Sequence, residues 1–218
     1  MNKEQLYILL QEMAPGDTLI DSVNRAWHSH RRAEQLSDAG LLDLLREIIE
    51  EHNLKKEKEI RRNAYFVMSK LLLKTENREF AQFLVERLNR ETDRYVLGAM
   101  LDGIGWLKLP PDVDIAPVIA CGKSEKWLIR HSAIYALRAS DAEASREALR
   151  CWLRQEDEKK YKFELIYANA AMGVVGRAED IRLLEKHASS RIRDIRDSAN
   201  FAIEAIRSRT GCTGRMIG

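Results

Sequence analysis

The sequence predicts an all-α fold, a solenoid of about five helical hairpins preceded by two N-terminal capping helices. Three observations predict it. An apolar pattern with helical spacing recurs along the chain, and each copy follows another amphipathic stretch and a short turn. The composition, 45% hydrophobic and 32% charged residues with only four prolines in 218, suits a soluble protein made mostly of helices.

In chain order, Lys3 to Glu12 and Asp17 to Gln35 read as capping helices separated by the breaker Ala14-Pro15-Gly16. Amphipathic first helices follow at Ser37 to His52, Glu76 to Arg90, Asp112 to Gly122, Asp141 to Gln155 and Ala178 to Ala188. The second helices carry the repeat. Ile60-Arg61-x-x-Ala64-x-x-Val67-Met68, Ile129-Arg130-x-x-Ala133-x-x-Ala136-Leu137 and Ile195-Arg196-x-x-Ala199-x-x-Ala202-Ile203 share one layout. Weaker copies contain Leu97, Leu101 and Ile104, and Leu165, Ala168, Ala171 and Met172. Anchored on Ile60, Leu97, Ile129, Glu164 and Ile195, the copies recur about every 31 to 37 residues. Alanine inside the stripe lets helices approach closely. Thr92, Ser124 and Ser190 are expected to cap three of these helices. Residues 1–36 are thus read as caps, 37–208 as the repeat array of a single domain, and 209–218, with Gly211, Gly214 and Gly218, as a loose tail.

Ile115-Ala116-Pro117-Val118-Ile119, the linker Gly122-Lys123-Ser124 and the stripe from Ile129 to Leu137 resemble a HEAT repeat almost end to end, and the likeness extends over roughly Ser37 to Arg207. The copies depart from it where Gly98 and Leu165 replace the arginine and where Lys55 and Lys159 stand at cap positions. The resemblance implies a right-handed superhelix with the second helices lining its concave side. It implies architecture more than function, since HEAT-like repeats serve as scaffolds, adaptors, lyases and, in one group, DNA glycosylases.

Charge gives the implied surface a character. Thirty-six basic and 34 acidic residues leave a net +2, yet the second helices sum to about +9 and the first to about −8, which predicts a basic inner wall. Positions two, five, six and nine after each anchor turn away from the apolar stripe at ~100° per residue. Among them Arg62, Tyr65, Phe66, Trp106, His131, Tyr135 and Arg138 are the residue types that anchor interfaces, and they form the expected binding site. Gly98, Gly103 and Gly105 in one helix imply close approach, by a neighbouring helix before a ligand.

Dedicated chemistry is absent from the pattern. There is no Walker loop, G-x-S-x-G or H-E-x-x-H. Cys121, Cys151 and Cys212 are far apart and suggest neither disulfide nor zinc, and His28 and His30, two apart on a helix, do not face one ligand. No cofactor and no metal are expected. The enzymatic alternative is an alkylpurine DNA glycosylase, with Trp106 and Trp127 as an aromatic wall, Asp102 as the carboxylate and Arg130 as a phosphate contact. The paired tryptophans followed by aspartate associated with that family are missing, and Trp127, two residues before a core anchor, reads as packing. A lyase for a small chromophore would need a nucleophile in the groove, whereas Cys121 and Cys151 fall on first helices. The expected function is therefore a non-catalytic binding scaffold with a protein partner, nucleic acid being the alternative. No signal peptide and no apolar run of about 18 residues is present, so a cytoplasmic setting without membrane contact is expected.

The seam alanines give a direct test. Ala133→Leu is expected to destabilise the fold by roughly 1 to 3 kcal/mol, because an isobutyl group does not fit between closely packed helices. An unchanged melting temperature would place Ala133 outside the seam.

Overall fold

The computed structural model describes residues 1–14 and 20–211, and in the second helix its side chains from residue 24 onward. The Pro15-Gly16 part of the expected breaker, the expected start at Asp17, and the tail from Cys212 lie outside the described residues. Those residues form α1 (Lys3–Glu12), α2 (Ile20–Gln35), α3 (Leu41–Glu51), α4 (Lys58–Thr75), α5 (Arg78–Glu86) and α6 (Arg94–Gly105), then α7 (Ala116–Cys121), α8 (Trp127–Ala136), α9 (Glu143–Leu153), α10 (Lys162–Val175), α11 (Ile181–Ala188) and α12 (Arg193–Thr210), with no strand among them. The chain is an all-α helical repeat. It divides into two compact units, Met1–Leu109 and Pro110–Gly218.

In the first unit α1 and α2 precede two hairpins, α3 with α4 and α5 with α6. Asn2 starts α1 through a capping box, its side chain accepting from the Gln5 N–H while the Gln5 side chain accepts from the Asn2 N–H. Leu6, Leu9 and Leu10 go into the core. Asn63 of α4 donates to the Leu10 carbonyl at 2.9 Å, which satisfies the open end of α1 and fixes it to the first hairpin. The second unit has three hairpins, α7 with α8, α9 with α10 and α11 with α12, and α10 packs against both α8 and α12.

The alanine stripe does what its spacing predicts. Ala64 and Leu101 in the first unit, and Ala133, Ala168 and Ala199 in the second, are completely buried. Close approach is measurable at two glycines. A Cβ on Gly103 would lie 2.4 Å from Ser69 Oγ on α4, and one on Gly173 would lie 3.0 Å from Ala202 Cα on α12. Gly103 is therefore a packing glycine of the α4–α6 seam.

The arginine after the anchor holds successive hairpins together. Arg61 donates from Nε and Nη2 to the two oxygens of Glu91 at 2.8 and 3.1 Å, and from Nη1 to the carbonyls of His52 and Leu54 in its own hairpin turn. Arg130 repeats the arrangement. Its Nε and Nη2 reach Glu164 Oε1 at 2.7 and 2.6 Å, and its Nη1 reaches the carbonyls of Ser124 and Glu125.

The expected caps are corrected. Asp93, not Thr92, caps α6, accepting from the Tyr95 and Val96 N–H groups. Glu91 takes the N–H groups of Thr92 and Asp93, and this turn moves the cap one residue on. Ser124 and Ser190 accept from Lys126 and Ile192, both still ahead of the helix, so they close the preceding turn instead of capping.

Both latch carboxylates are held below the usual range. Burial opposes ionisation of Glu91, but Arg61 and the N–H groups of Asp93 and Thr92 outweigh it. Burial likewise opposes ionisation of Glu164, and its backbone N–H, Arg130 and His131 outweigh that. A carboxylate with a folded pKa below its unfolded value of about 4.3 stabilises the fold fully above that value, and loses this contribution as pH falls through the folded pKa. Urea midpoints are thus expected to fall on acidification below about pH 4.5. Glu91→Gln should flatten part of that fall and cost about 3 to 5 kcal/mol at neutral pH by leaving the Arg61 charge buried and uncompensated. An equally steep fall in the variant would remove the pair from the account.

Candidate functional site

The seven residues expected to bind a partner divide between the two units, and the structure treats them unequally. In the first unit Tyr65 is fully buried, its hydroxyl accepting from Arg87 Nε at 3.2 Å, and burial pushes its phenol pKa up. It is a core residue. Position five lies only about 115° from the centre of the apolar stripe, and a second helix packed on several sides buries a wider arc than an amphipathic helix with one neighbour. Ile134, at the same position in α8, is fully buried for the same reason. Phe66 is half-buried, edge-on to His30 at 5.1 Å with the Lys70 ammonium 5.2 Å from its ring centre. Arg62 pairs with Glu59 at 2.7 Å, and Trp106, following α6, is 63% exposed.

The basic wall expected along the second helices does not stand free on α4, where the excess is concentrated. Arg61 is latched to Glu91 and Arg62 to Glu59. Lys58 lies 3.5 Å from Asp93, Lys70 lies 4.0 Å from Glu34, and Lys74 donates to the carbonyls of Glu34 and Leu36 at 2.6 Å. Counting formal charge by helix misses this, because the cations of α4 are used to fasten neighbouring segments.

His28 and His30 face different neighbours, His28 against Trp27 and His30 against Phe66. Burial, with Arg62 assisting, lowers the His30 pKa.

In the second unit the structure assembles a patch that the sequence showed only in part. His131 on α8 is its centre, with Trp127 at 5.6 Å, Phe163 at 5.8 Å and Tyr167 at 5.5 Å between ring centres, the last two from α10. Its Nε2 lies 3.2 Å from Glu164 Oε1, the oxygen that also receives Arg130. Trp127 and Phe163 are 64% and 57% exposed. Reading Trp127 as packing is therefore corrected. It is the first residue of α8, where the backbone has only begun to turn and the inner side of the turn is filled by the Arg130 guanidinium. Arg130 has its donors on Glu164, Ser124 and Glu125 and acts as a latch within the fold. Tyr135 and Arg138 are half-buried and pair with each other, the guanidinium 5.0 Å from the ring centre and 3.2 Å from the hydroxyl.

Phe163 and Tyr167 stand one residue before and three after the Glu164 anchor, so positions two, five, six and nine of that copy do not include them. The signal lay in the pair itself, two aromatic residues four apart on either side of Glu164. Rings on one helix face, held through His131 to a buried carboxylate, form a pre-ordered surface suited to receiving apolar side chains.

No family model matches the chain, and no curated protein matches it. Among solved structures, a crystallised engineered protein from a structural genomics consortium aligns with 96% of this chain and 98% of its own length, at 16% identity and a TM-score of 0.50. A designed armadillo repeat protein aligns with 92% of this chain and 99% of its own, at 16% identity and a TM-score of 0.45. At such identity the first of these likenesses speaks for the fold, and it agrees with the helical repeat described above.

Proposed function

We propose that the chain is a non-catalytic binding scaffold of the HEAT-like kind, and that a protein partner seats on the second-helix surface, centred in the second unit on Trp127, His131, Phe163 and Tyr167. One observation carries this reading. Two large aromatic side chains that contribute little to the core stand more than half exposed, within ring contact of a histidine tied to the buried Glu164 and its Arg130 partner. Rigid, pre-positioned Trp, Tyr and Phe side chains are the residues whose contacts dominate interface energies. A nucleic-acid partner is less well supported, because it would draw on free cations and those of α4 are engaged within the fold. Phe66 and Trp106 of the first unit remain proposed contacts, as do His131, Tyr135 and Arg138, whereas Tyr65 does not. The proposed setting is the cytoplasm, where the exposed Cys151 and half-buried Cys121 would stay reduced. Among the described residues no helix is long and apolar enough to cross a membrane.

The double variant Trp127→Ala, Phe163→Ala is expected to keep its melting transition, each exposed change costing within about 0.5 kcal/mol. It should lose a cross-linked protein partner from source-cell lysate, with truncation at such anchors costing about 2 kcal/mol or more of binding. Tyr65→Ala should do the reverse, lowering stability by about 3 to 5 kcal/mol. Partner capture that is abolished by nuclease would replace the protein reading with the nucleic-acid one.

A further inference from the structure

The first-helix layer of the second unit holds a feature that partner binding through the second helices does not use. A groove of about 470 Å³ lies between α7 and α9, within the range of roughly 300 to 1,000 Å³ typical of small-molecule sites. Its origin is local. α7 is only six residues long, entered through Pro117 in its first turn and stopped at Gly122, while α9 runs for eleven. A shorter helix beside a longer one leaves part of the longer helix uncovered.

α9 therefore has two working faces. Ser145, Leu149 and Leu153 point into the core. Ala144, Ala148, Cys151 and Trp152, spaced four, three and one apart, look into the groove, with Ile119 and Leu137 opposite. Small alanines set its depth, and Trp152 forms a wall that is steadied by Tyr161 at 6.0 Å.

The charges at its rim are unequal. Glu147 is already engaged by Arg154 at 2.8 Å and by Arg150 at 3.3 Å. Lys123 also lines the groove, exposed and without an ion-pair partner among the described residues. An apolar trough with one unanswered cation at its edge is complementary to a molecule with an apolar body and a single anionic group.

We infer that the α7–α9 groove binds a small amphiphilic anion, its apolar body lying along Ala144, Ala148 and Trp152 and its charged group at Lys123. The site is independent of the second-helix surface, so loss of either leaves the other intact.

Dodecanoate is a suitable probe, and Cys151, exposed within the groove, is a built-in reporter. Saturating dodecanoate is expected to slow alkylation of Cys151 by iodoacetamide about tenfold or more, with saturable binding by calorimetry, while dodecyltrimethylammonium gives neither. Lys123→Glu should weaken dodecanoate about tenfold, the worth of one charge-assisted contact. Ala148→Trp should fill the trough and abolish both signals, and Trp127→Ala should change neither. The inference is overturned if the cationic detergent protects Cys151 equally, or if Lys123→Glu binds dodecanoate unchanged. Binding that survives in folded Ala148→Trp would also overturn it. Should Ala148→Trp fail to fold, the exposed Lys123→Glu change and the ammonium control decide the matter alone.

Discussion

The buried Arg61 guanidinium is the constraint around which the first two hairpins are arranged, and Arg130 with Glu164 repeats the contact within the second unit. Arg61 is nearly inaccessible to solvent, and so is the Glu91 carboxylate it meets. Taking such charges out of water is costly unless every donor and acceptor is answered. Here they are. The two oxygens of Glu91 receive Nε and Nη2, and two carbonyls of the hairpin turn receive Nη1. Glu91 Oε1 in addition takes the N–H groups of Thr92 and Asp93, which places Asp93 to cap α6. One side chain of α4 thus fixes its own turn, the following turn and the start of the following second helix.

That geometry explains why the repeat is uneven in sequence. The arginine is present in the first, third and fifth copies and absent from the second and fourth. The copies that lack it supply its counter-charge: Glu91 stands just ahead of α6, and Glu164 stands in α10. In the fifth copy the Arg196 side chain is 42% exposed beside Asp197.

What the sequence made legible follows from what periodicity can report. Anchor spacing located all five hairpins, and the alanine stripe located the seams, because both depend on the angle between residues along one helix. Caps were misplaced because they depend on a carboxylate outside the helix, as Glu91 shows. Tyr65 was placed on the surface because a single-helix projection knows only one buried side, while α4 also packs against α1, α2 and α6. The aromatic patch was half-read for a related reason. His131 was visible from α8 alone, but its significance comes from Phe163 and Tyr167 on another helix, 32 and 36 residues after it, across a turn whose geometry no spacing rule gives.

The latch also bears on why those aromatics are exposed. Arg130 sits one turn into α8, and its head group fills the inner side of the turn that opens the helix. A residue at the first position of α8 is directed outward, and there stands Trp127. In α10, Glu164 turns inward to meet Arg130, and its neighbour Phe163 is left outside. At the start of α6 in the first unit, Tyr95 is 51% exposed beside Arg94, its ring 4.6 Å from that guanidinium. Folding requires nothing apolar at these positions, since the latch and the seam are complete without it. A Trp and a Phe kept there gain little burial and add apolar surface that scattered polar residues would have avoided. Their joint contact with His131 is what separates them from isolated exposed hydrophobics, and it is the physical ground on which the proposed partner surface rests.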